Sequence, residues 1–314
     1  MIGLALGGGA ARGLAHLGIL HVLEREGLLP HLVAGTSIGA VVGGLWSAGR
    51  LRELTEWALQ INRRNMLSYL DFTLDGGGII AGRRLMERMK QEVGEARLEN
   101  LPIPFTAVAT ECGTGREVLL TQGDFVTAIR ASYAIPGIFT PADVEGRWLL
   151  DGALVNPVPV APVRAAGADV IIAVDLNADA LAHSYPMDDP VPAQERPVPV
   201  ETEDVQGIEN IGDLLKPERL RQQFLGPRTR SSQHTLSSVI LDAFTITQDR
   251  ITRARLAQDP PDILLVPRLR DIGLFDFHRA REAMDIGEAA AEEALPRMRE
   301  AVAKAASKKH SFQT

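Results

Sequence analysis

Apolar residues along the chain alternate between short runs, which are typical of buried strands, and longer stretches with helical spacing. The short runs predict strands at Ile2 to Leu6, His31 to Ala34, Phe105 to Thr110, Glu117 to Thr121, Trp148 to Leu150, Val170 to Val174 and Ile263 to Val266. Helical spacing predicts helices at Ala11 to Glu26, Ile38 to Ala48, Leu51 to Tyr69, Gly82 to Val93, Asp124 to Tyr133, Ser237 to Ala257 and Phe277 to Lys304. Such alternation predicts a single α/β domain over residues 1–314 with a mainly parallel sheet.

The segment from Ala178 to Ser232 (178–232) interrupts this alternation, because it is rich in proline and acidic residues. Its weak apolar pattern consists of Leu214, Leu215, Leu220 and Phe224. A stretch of this length without regular structure is typical of a lid, a binding loop or a disordered segment. We therefore interpret it as an insertion that either covers a cleft or is disordered.

Composition excludes several classes of protein. Hydrophobic residues make up 45% and charged residues 23% of the 314 residues, as in globular proteins. The formal net charge of -7 disfavours binding to nucleic acid. The single cysteine, Cys112, excludes an intrachain disulfide and a cysteine zinc site. These features favour a cytoplasmic location and give no indication of a metal or other cofactor.

Two uncharged stretches raise the question of a membrane segment. Met1 to Ala11 lacks the positively charged leader of an export signal. Gly27 to Gly49 is long enough to span a bilayer, but Pro30, His31 and its glycines favour a buried strand, turn and helix. We therefore expect no membrane span, and at most a transient contact with the inner face of a membrane.

The chemistry begins at Gly35 to Gly39, which follows a predicted strand and opens a predicted helix with the pattern G-x-S-x-G. In this context the pattern indicates a nucleophile elbow, a tight turn that presents Ser37 above the edge of the sheet. The N-terminus of the following helix also favours developing negative charge. The alternative is a glycine-rich turn without catalysis.

The first glycine loop of the chain, Gly7 to Gly13, also connects a strand to a helix. Arg12 stands where the dinucleotide-binding pattern requires its third glycine, and the ending of a Walker A motif is missing. Successive glycines expose backbone N–H groups, which suits an oxyanion. Arg12 either adds a positive charge there or braces the loop, and a tight turn without a ligand is the alternative.

The third feature is Asp151-Gly152-Ala153, directly after the predicted strand Trp148 to Leu150. An aspartate at a strand end beside glycine can point into a cleft. Taken alone, however, such a pair is an ordinary turn.

These three features, in this order, resemble the bacterial branch of the patatin-like phospholipase family, which is related to the catalytic domain of neuropathy target esterase. The stretches from Arg130 to Phe139 and from Asn156 to Val160 are similar to the connecting sequences of that family. The resemblance covers most of the chain and is specific in combination, but it says little about segment 178–232.

The resemblance implies a three-layer α/β/α fold and a serine hydrolase of phospholipids or lysophospholipids. Ser37 would be the nucleophile and Asp151 its base. In the mechanism that we expect, backbone N–H groups of the first glycine loop and of the helix start hold the oxyanion. The expected oxyanion-hole residues are Gly8, Gly9, Ile38 and Arg12, and the expected motif glycines are Gly7, Gly35, Gly39 and Gly152.

A Ser/Asp dyad poses a physical problem, since free aspartate has a pKa of about 3.9 and is a weaker base than histidine at about 6.5. Asp151 must therefore gain from direct contact with Ser37 in a water-poor cleft. The histidines after Asp151 have no neighbourhood typical of catalysis, and they are His183, His234, His278 and His310. His16 and His21 are expected to be packing or surface residues.

Two alternative functions remain at this level. An acyl-carrier transacylase would pass the acyl group to a thiol and would require a catalytic histidine. A non-enzymatic regulator would use the same cleft only to bind lipid.

Overall fold

A computed structural model of the chain describes residues 1–62, 65, 71, 73, 78–179 and 236–311, and the following account is limited to them. Apart from residues 178 and 179, segment 178–232 lies outside the described residues, and so do its four apolar residues.

The described chain alternates strands and helices from its first residues. The strands are β1 (Ile2–Leu6), β2 (Leu32–Thr36), β3 (Gly78–Ile80), β4 (Phe105–Glu111), β5 (Glu117–Leu120), β6 (Gly137–Phe139), β7 (Ala142–Val144), β8 (Arg147–Asp151), β9 (Val170–Val174) and β10 (Ile263–Leu265). The α-helices are α1 (Ala15–Arg25), α2 (Ile38–Ser47), α3 (Leu51–Gln60), α4 (Arg83–Val93), α5 (Phe125–Ser132), α6 (Val160–Ala165), α7 (Leu236–Gln258) and α8 (Ala280–Ser311). Short 3-10 helices cover Ala10–Leu14, Leu98–Asn100, Gly152–Leu154 and Phe277–Arg279.

Eight of the ten described strands form one sheet in the order β10-β9-β1-β2-β4-β8-β7, with β5 paired to β4 outside this path, and β3 and β6 pair in parallel as a separate two-stranded sheet. The pairs from β10 to β4 are parallel, whereas β5, β7 and β8 pair in antiparallel fashion. Leu6 lies opposite Gly35 on one side and Val174 on the other. The carboxyl ends of β1, β2 and β9 therefore meet at one edge, which is where α/β sheets bind ligands.

Helices cover both faces of the sheet. Leu4 and Leu6 of β1 pack into a large apolar core with α1, α2, α5 and α8. Ala5, between them, points to the opposite face and packs with Val160 and Val163 of α6. Side chains alternate across a strand in this way because its period is two residues. The prediction of an α/β fold with helices on both faces of a mainly parallel sheet is confirmed.

Differences from the predicted elements are local. The helix predicted over Leu51 to Tyr69 ends at Gln60, and Ile61 is extended. Asn62 and Asn65 each accept a hydrogen bond from the other's backbone N–H, an arrangement that competes with helix continuation. The three-residue strands β3, β6 and β7 were not predicted, because a glycine or an aspartate leaves none of them with an unbroken apolar run.

No helix in the described part of the chain combines the length and the apolar character needed to cross a membrane.

Candidate active site

Ser37 stands in the turn between β2 and α2, where the sequence predicted an elbow. Its backbone has φ of 56° and ψ of -124°, a conformation that residues other than glycine rarely adopt. The Ser37 amide donates to Oγ of Ser132 at 3.0 Å, and that hydroxyl donates to the Val108 carbonyl at 2.6 Å. Ser132 thus ties the strained turn to the central strand β4.

The two glycines of the elbow are required by close backbone approach. A Cβ atom on Gly35 would lie 2.4 Å from the Gly39 carbonyl oxygen, and one on Gly39 would lie 2.2 Å from that of Leu6. Neither distance is tolerable for carbon and oxygen. The elbow can therefore form only with glycine on both sides of Ser37.

Asp151 meets the elbow through the strand pairing of β4. Strand β5 occupies one side of β4, so β2 and β8 share the other side and meet end to end. Thr36, the last residue of β2, lies opposite Val108, and Asp151, the last residue of β8, lies opposite Ala109. The residue after Thr36 is Ser37. The candidate nucleophile and base are thus brought together by two consecutive positions of one strand.

The Asp151 carboxyl group is fully buried. The Ala153 amide donates to its Oδ1 at 2.8 Å, while Oδ2 accepts no hydrogen bond of ordinary geometry from the described residues. Burial raises the pKa of Asp151 to about 7, and the Ala153 amide and the nearby Ser37 hydroxyl partly oppose this rise. Desolvation therefore gives the aspartate the basicity of a histidine, which is what a base at neutral pH requires.

Gly152 allows the turn after Asp151 to pack against β4. A Cβ atom at this position would lie 2.3 Å from the carbonyl oxygen of Val108. Strand β4, whose Val108 carbonyl accepts from the Ser132 hydroxyl, is thus also in contact with the turn that carries Asp151. The carbonyl of Asp151 also accepts from the Thr110 hydroxyl at 2.8 Å.

The first glycine loop packs directly on this pair. A Cβ atom on Gly8 would lie 3.4 Å from Cβ of Ser37 and 3.6 Å from that of Ala153. However, the Gly8 amide, an expected oxyanion donor, donates to the Pro157 carbonyl at 3.0 Å. The amides of Gly9 and Ile38 make no hydrogen bond within the described chain, which leaves these two as candidate oxyanion donors.

Arg12 braces the loop instead of facing Ser37. Its guanidinium donates from Nε to the Ile272 carbonyl at 2.9 Å and from Nη1 to Oδ1 of Asn177 at 3.1 Å. The side chain is buried. These contacts favour the bracing role over the expected place in an oxyanion hole. Gly7 precedes the loop, and a Cβ atom there would lie 2.6 Å from the Val174 carbonyl oxygen of the adjacent strand.

An apolar cavity of about 1270 Å³, including its open mouth, adjoins Ser37. Its walls come from helices α2, α3 and α4, from the chain around β3 and β6, and from two phenylalanines near α8. Among the lining residues are Trp57, Ile80, Leu85, Tyr133, Phe139 and Phe277. The cavity suits a hydrocarbon chain bound with its carbonyl carbon at the serine hydroxyl.

The histidines of the described chain take other places. His16 is fully buried beside the glycine loop, and its Nε2 lies 2.9 Å from the Gly7 carbonyl. Burial lowers its pKa to about 4, against the opposing effect of that carbonyl, so it is neutral at pH 7. His21 lies 3.2 Å from the Thr55 hydroxyl. His278 lies in a 3-10 helix beside Phe277, whereas His183, His234 and the His310 side chain lie outside the described residues.

Three residues that contribute contacts to the site could not be predicted from the sequence. Ser132 lies within the stretch that carried the family resemblance, but nothing local marks it as a partner of the elbow. Pro157 contributes only a carbonyl, which any residue has. Asn177 follows β9 outside any motif, and only its contacts with Gly8 and Arg12 draw attention to it.

The chain is similar to a family of known proteins. The model of the family described as patatin-like phospholipase matches residues 4–164. An uncharacterized NTE family protein of Mycobacterium tuberculosis is 33% identical over 328 residues, covering 94% of this chain and 91% of its own length. Lysophospholipase NTE1 of Pyricularia oryzae is 26% identical over 95% of this chain, which spans 19% of that larger protein. Among solved structures, VipD from Legionella pneumophila aligns at a TM-score of 0.38 and 13% identity, over 98% of this chain and 74% of its own.

Proposed function

The chain belongs to the patatin-like phospholipase family, and from that premise we propose that it releases fatty acid from phospholipids or lysophospholipids through a Ser37–Asp151 dyad. The family resemblance inferred from the motifs is confirmed, and with it the class of carboxylic ester hydrolase. The substrate class and the dyad are our proposal. The observation that supports it most is the meeting of a strained serine and a buried, basic aspartate at an apolar cavity.

In the acylation step, Oγ of Ser37 attacks the ester carbonyl carbon while Asp151 takes the hydroxyl proton. The negative charge that develops on the carbonyl oxygen is stabilised by the Gly9 and Ile38 amides, at the N-terminal end of α2. The bond to the alcohol then breaks, and Asp151 returns the proton to the departing alkoxide. The products are an acyl-serine and a free alcohol, such as a lysophospholipid or a glycerophosphodiester.

In the deacylation step, Asp151 takes a proton from water, and the resulting hydroxide attacks the acyl-serine carbonyl carbon. The bond to Oγ breaks, and the proton passes from Asp151 to Ser37. Fatty acid leaves, and the enzyme returns to its starting state. A single carboxylate therefore serves as base and acid in both halves of the cycle.

The acyl chain of the substrate is proposed to occupy the apolar cavity. Its wall carries almost no polar groups apart from Ser37 and Tyr133, so it offers little to a phosphate or sugar. A substrate held in this way would leave its polar head outside the cavity. With a net charge of -7, the protein has no general attraction to anionic lipid, so we propose only transient apolar contact with a membrane.

The test is a panel of phospholipids and lysophospholipids incubated with the wild-type protein and with Ser37→Ala, with products identified by mass. We expect Ser37→Ala to release no fatty acid and to lose covalent labelling by a fluorophosphonate. Ser47→Ala is a matched control, because Ser47 is also a buried serine and lies at the far end of the helix that follows Ser37. Ser47→Ala should keep both the release of fatty acid and the labelling by a fluorophosphonate.

Three results would contradict the proposal. Fatty-acid release by folded Ser37→Ala would exclude Ser37 as the nucleophile. Binding of lipid by wild type without any ester cleavage would favour a regulator over an enzyme. Transfer of the acyl group to a thiol acceptor in preference to water would instead indicate a transacylase.

A further inference from the structure

The first two peptide groups of the first glycine loop, Gly7–Gly8 and Gly8–Gly9, differ in their hydrogen bonds. In the Gly7–Gly8 peptide, the carbonyl lies 2.9 Å from Nε2 of His16 and the N–H donates to the Pro157 carbonyl. Both of its polar groups are occupied. In the Gly8–Gly9 peptide, only the carbonyl is bonded, by Nδ2 of Asn177 at 3.1 Å. The N–H of that peptide is the Gly9 amide, a candidate oxyanion donor.

A trans peptide is planar, and its carbonyl and N–H point in opposite directions. A hydrogen bond that fixes the Gly8 carbonyl therefore also fixes the direction of the Gly9 N–H. No other group in the described chain bonds this carbonyl. The hydrogen bond from Asn177 to the Gly8 carbonyl thus sets the orientation of the Gly9 N–H.

The Asn177 side chain is itself held in one orientation. Its Oδ1 accepts from Nη1 of Arg12, and arginine can only donate. Its Nδ2 must then face the acceptors, which are the Gly8 carbonyl and, at 3.3 Å, Oε1 of Gln248 on α7. The Asn177 backbone N–H donates to Oδ1 of Asp175 at 2.9 Å, and the whole residue is buried. No exchange of the amide oxygen and nitrogen is compatible with these partners.

We propose that Asn177 is a positioning residue that directs the Gly9 N–H toward the oxyanion of the reaction. The inference rests on the proposed function, since it concerns the transition state of ester cleavage. Aspartate at this position would keep the acceptor for Arg12 but would place an oxygen against the Gly8 carbonyl oxygen. The resulting repulsion would turn the Gly8–Gly9 peptide and misdirect the donor.

The experiment compares wild type with Asn177→Asp on a short-chain soluble ester and on the matching thionoester, in which sulfur replaces the carbonyl oxygen. Sulfur is a weak hydrogen-bond acceptor, so the preference for the oxygen ester reports the strength of the oxyanion hole. We expect kcat of Asn177→Asp on the oxygen ester to fall by on the order of 10- to 100-fold, with KM little changed. The oxygen-to-sulfur preference should fall with it.

Thr252→Val is the matched control, because Thr252 is also buried and lies on the same helix as Gln248. It should leave the preference unchanged. If Asn177→Asp does not fold by circular dichroism, Asn177→Ser removes the same donor without adding charge and is measured in the same way.

A folded Asn177 variant that keeps the wild-type oxygen-to-sulfur preference overturns the inference, even if its kcat has fallen, because a general structural defect would slow both esters alike. Absence of ester cleavage by the wild-type protein would instead overturn the proposed function. The two failures are therefore distinguishable.

Discussion

The two parts of the cleft, a polar floor and an apolar cavity, are built on different physical principles. The floor consists of Ser37, Asp151 and the first glycine loop, and its polar groups are held by strand ends, backbone amides and buried side chains such as Ser132 and Asn177. The cavity is lined almost entirely by apolar side chains, most of which pack against one another. In the floor, hydrogen bonds fix the position of individual polar atoms. In the cavity, packing fixes only the total volume and the shape.

This difference predicts two kinds of mutational response. Loss of one floor atom should slow the cleavage of every ester, because the transition state is the same for all of them. The effect of a substitution in the cavity on the cleavage rate should depend on acyl-chain length, because only long chains reach the altered wall.

The largest effect is expected for Asp151→Asn, which removes the base and keeps the shape of the side chain. Turnover should fall by several orders of magnitude on short and long esters alike. Steady-state kinetics on both substrates measures this. His278→Ala is the control, and it should keep most activity, because the dyad requires no histidine. If His278→Ala loses as much as Asp151→Asn, a triad operates and the dyad is wrong.

The next effect is the pH dependence of the wild-type rate. A base works only when deprotonated, so kcat/KM should fall about tenfold per pH unit below the raised pKa of Asp151, about 7. The profile should have the same midpoint for short and long esters. A midpoint near the ordinary aspartate value of 3.8 would show that the carboxylate is not desolvated in the working enzyme.

The stability of the fold should change in the opposite direction to the rate. The folded-state pKa of Asp151 is raised from 3.8 to about 7, so between these values the folded protein holds a proton that the unfolded chain releases. The free energy of unfolding therefore decreases as pH rises through this window. Asp151→Asn, which cannot ionise, should be more stable than wild type at pH 8 by on the order of a few kcal/mol, and the difference should vanish near pH 4. Thermal unfolding at both pH values measures it.

The smallest effect is expected in the cavity. Leu85→Trp on α4 adds volume to a partly buried lining position, so long-chain esters should lose severalfold in kcat/KM while an acetyl ester keeps its rate. Leu59→Trp is the control, since Leu59 is exposed and does not line the cavity. An equal loss on acetyl and long-chain esters would mean that cavity and floor are not separable.

The elbow was predictable from sequence because its determinants are local. A buried strand, a turn with glycine on both sides of Ser37 and a helix of small residues follow one another without interruption. Short-range sterics decide such a turn, and the close approaches at Gly35 and Gly39 show why no other residue fits.

The proposed role of Asp151 could be inferred only from the family resemblance, since an Asp-Gly pair alone is an ordinary turn. Which backbone N–H groups are available to an oxyanion could not be predicted from the sequence. A backbone N–H can bind an oxyanion only if no other group already accepts its hydrogen bond. The Gly8 N–H already donates to the carbonyl of Pro157, a residue 149 positions away in the chain.

The amino-acid sequence by itself determined the order of most strands and helices, the elbow and the position of the glycine loop, because each depends on the spacing of neighbouring residues. Only the tertiary structure decided that β8 runs antiparallel into the end of β2, so that Asp151 meets Ser37, and that Asn177 holds the Gly8 carbonyl. It also assembled the cavity from distant helices. Contacts between residues far apart in the chain set the direction of each strand, the burial of each side chain and the partner of each hydrogen bond. Local periodicity therefore does not predict them.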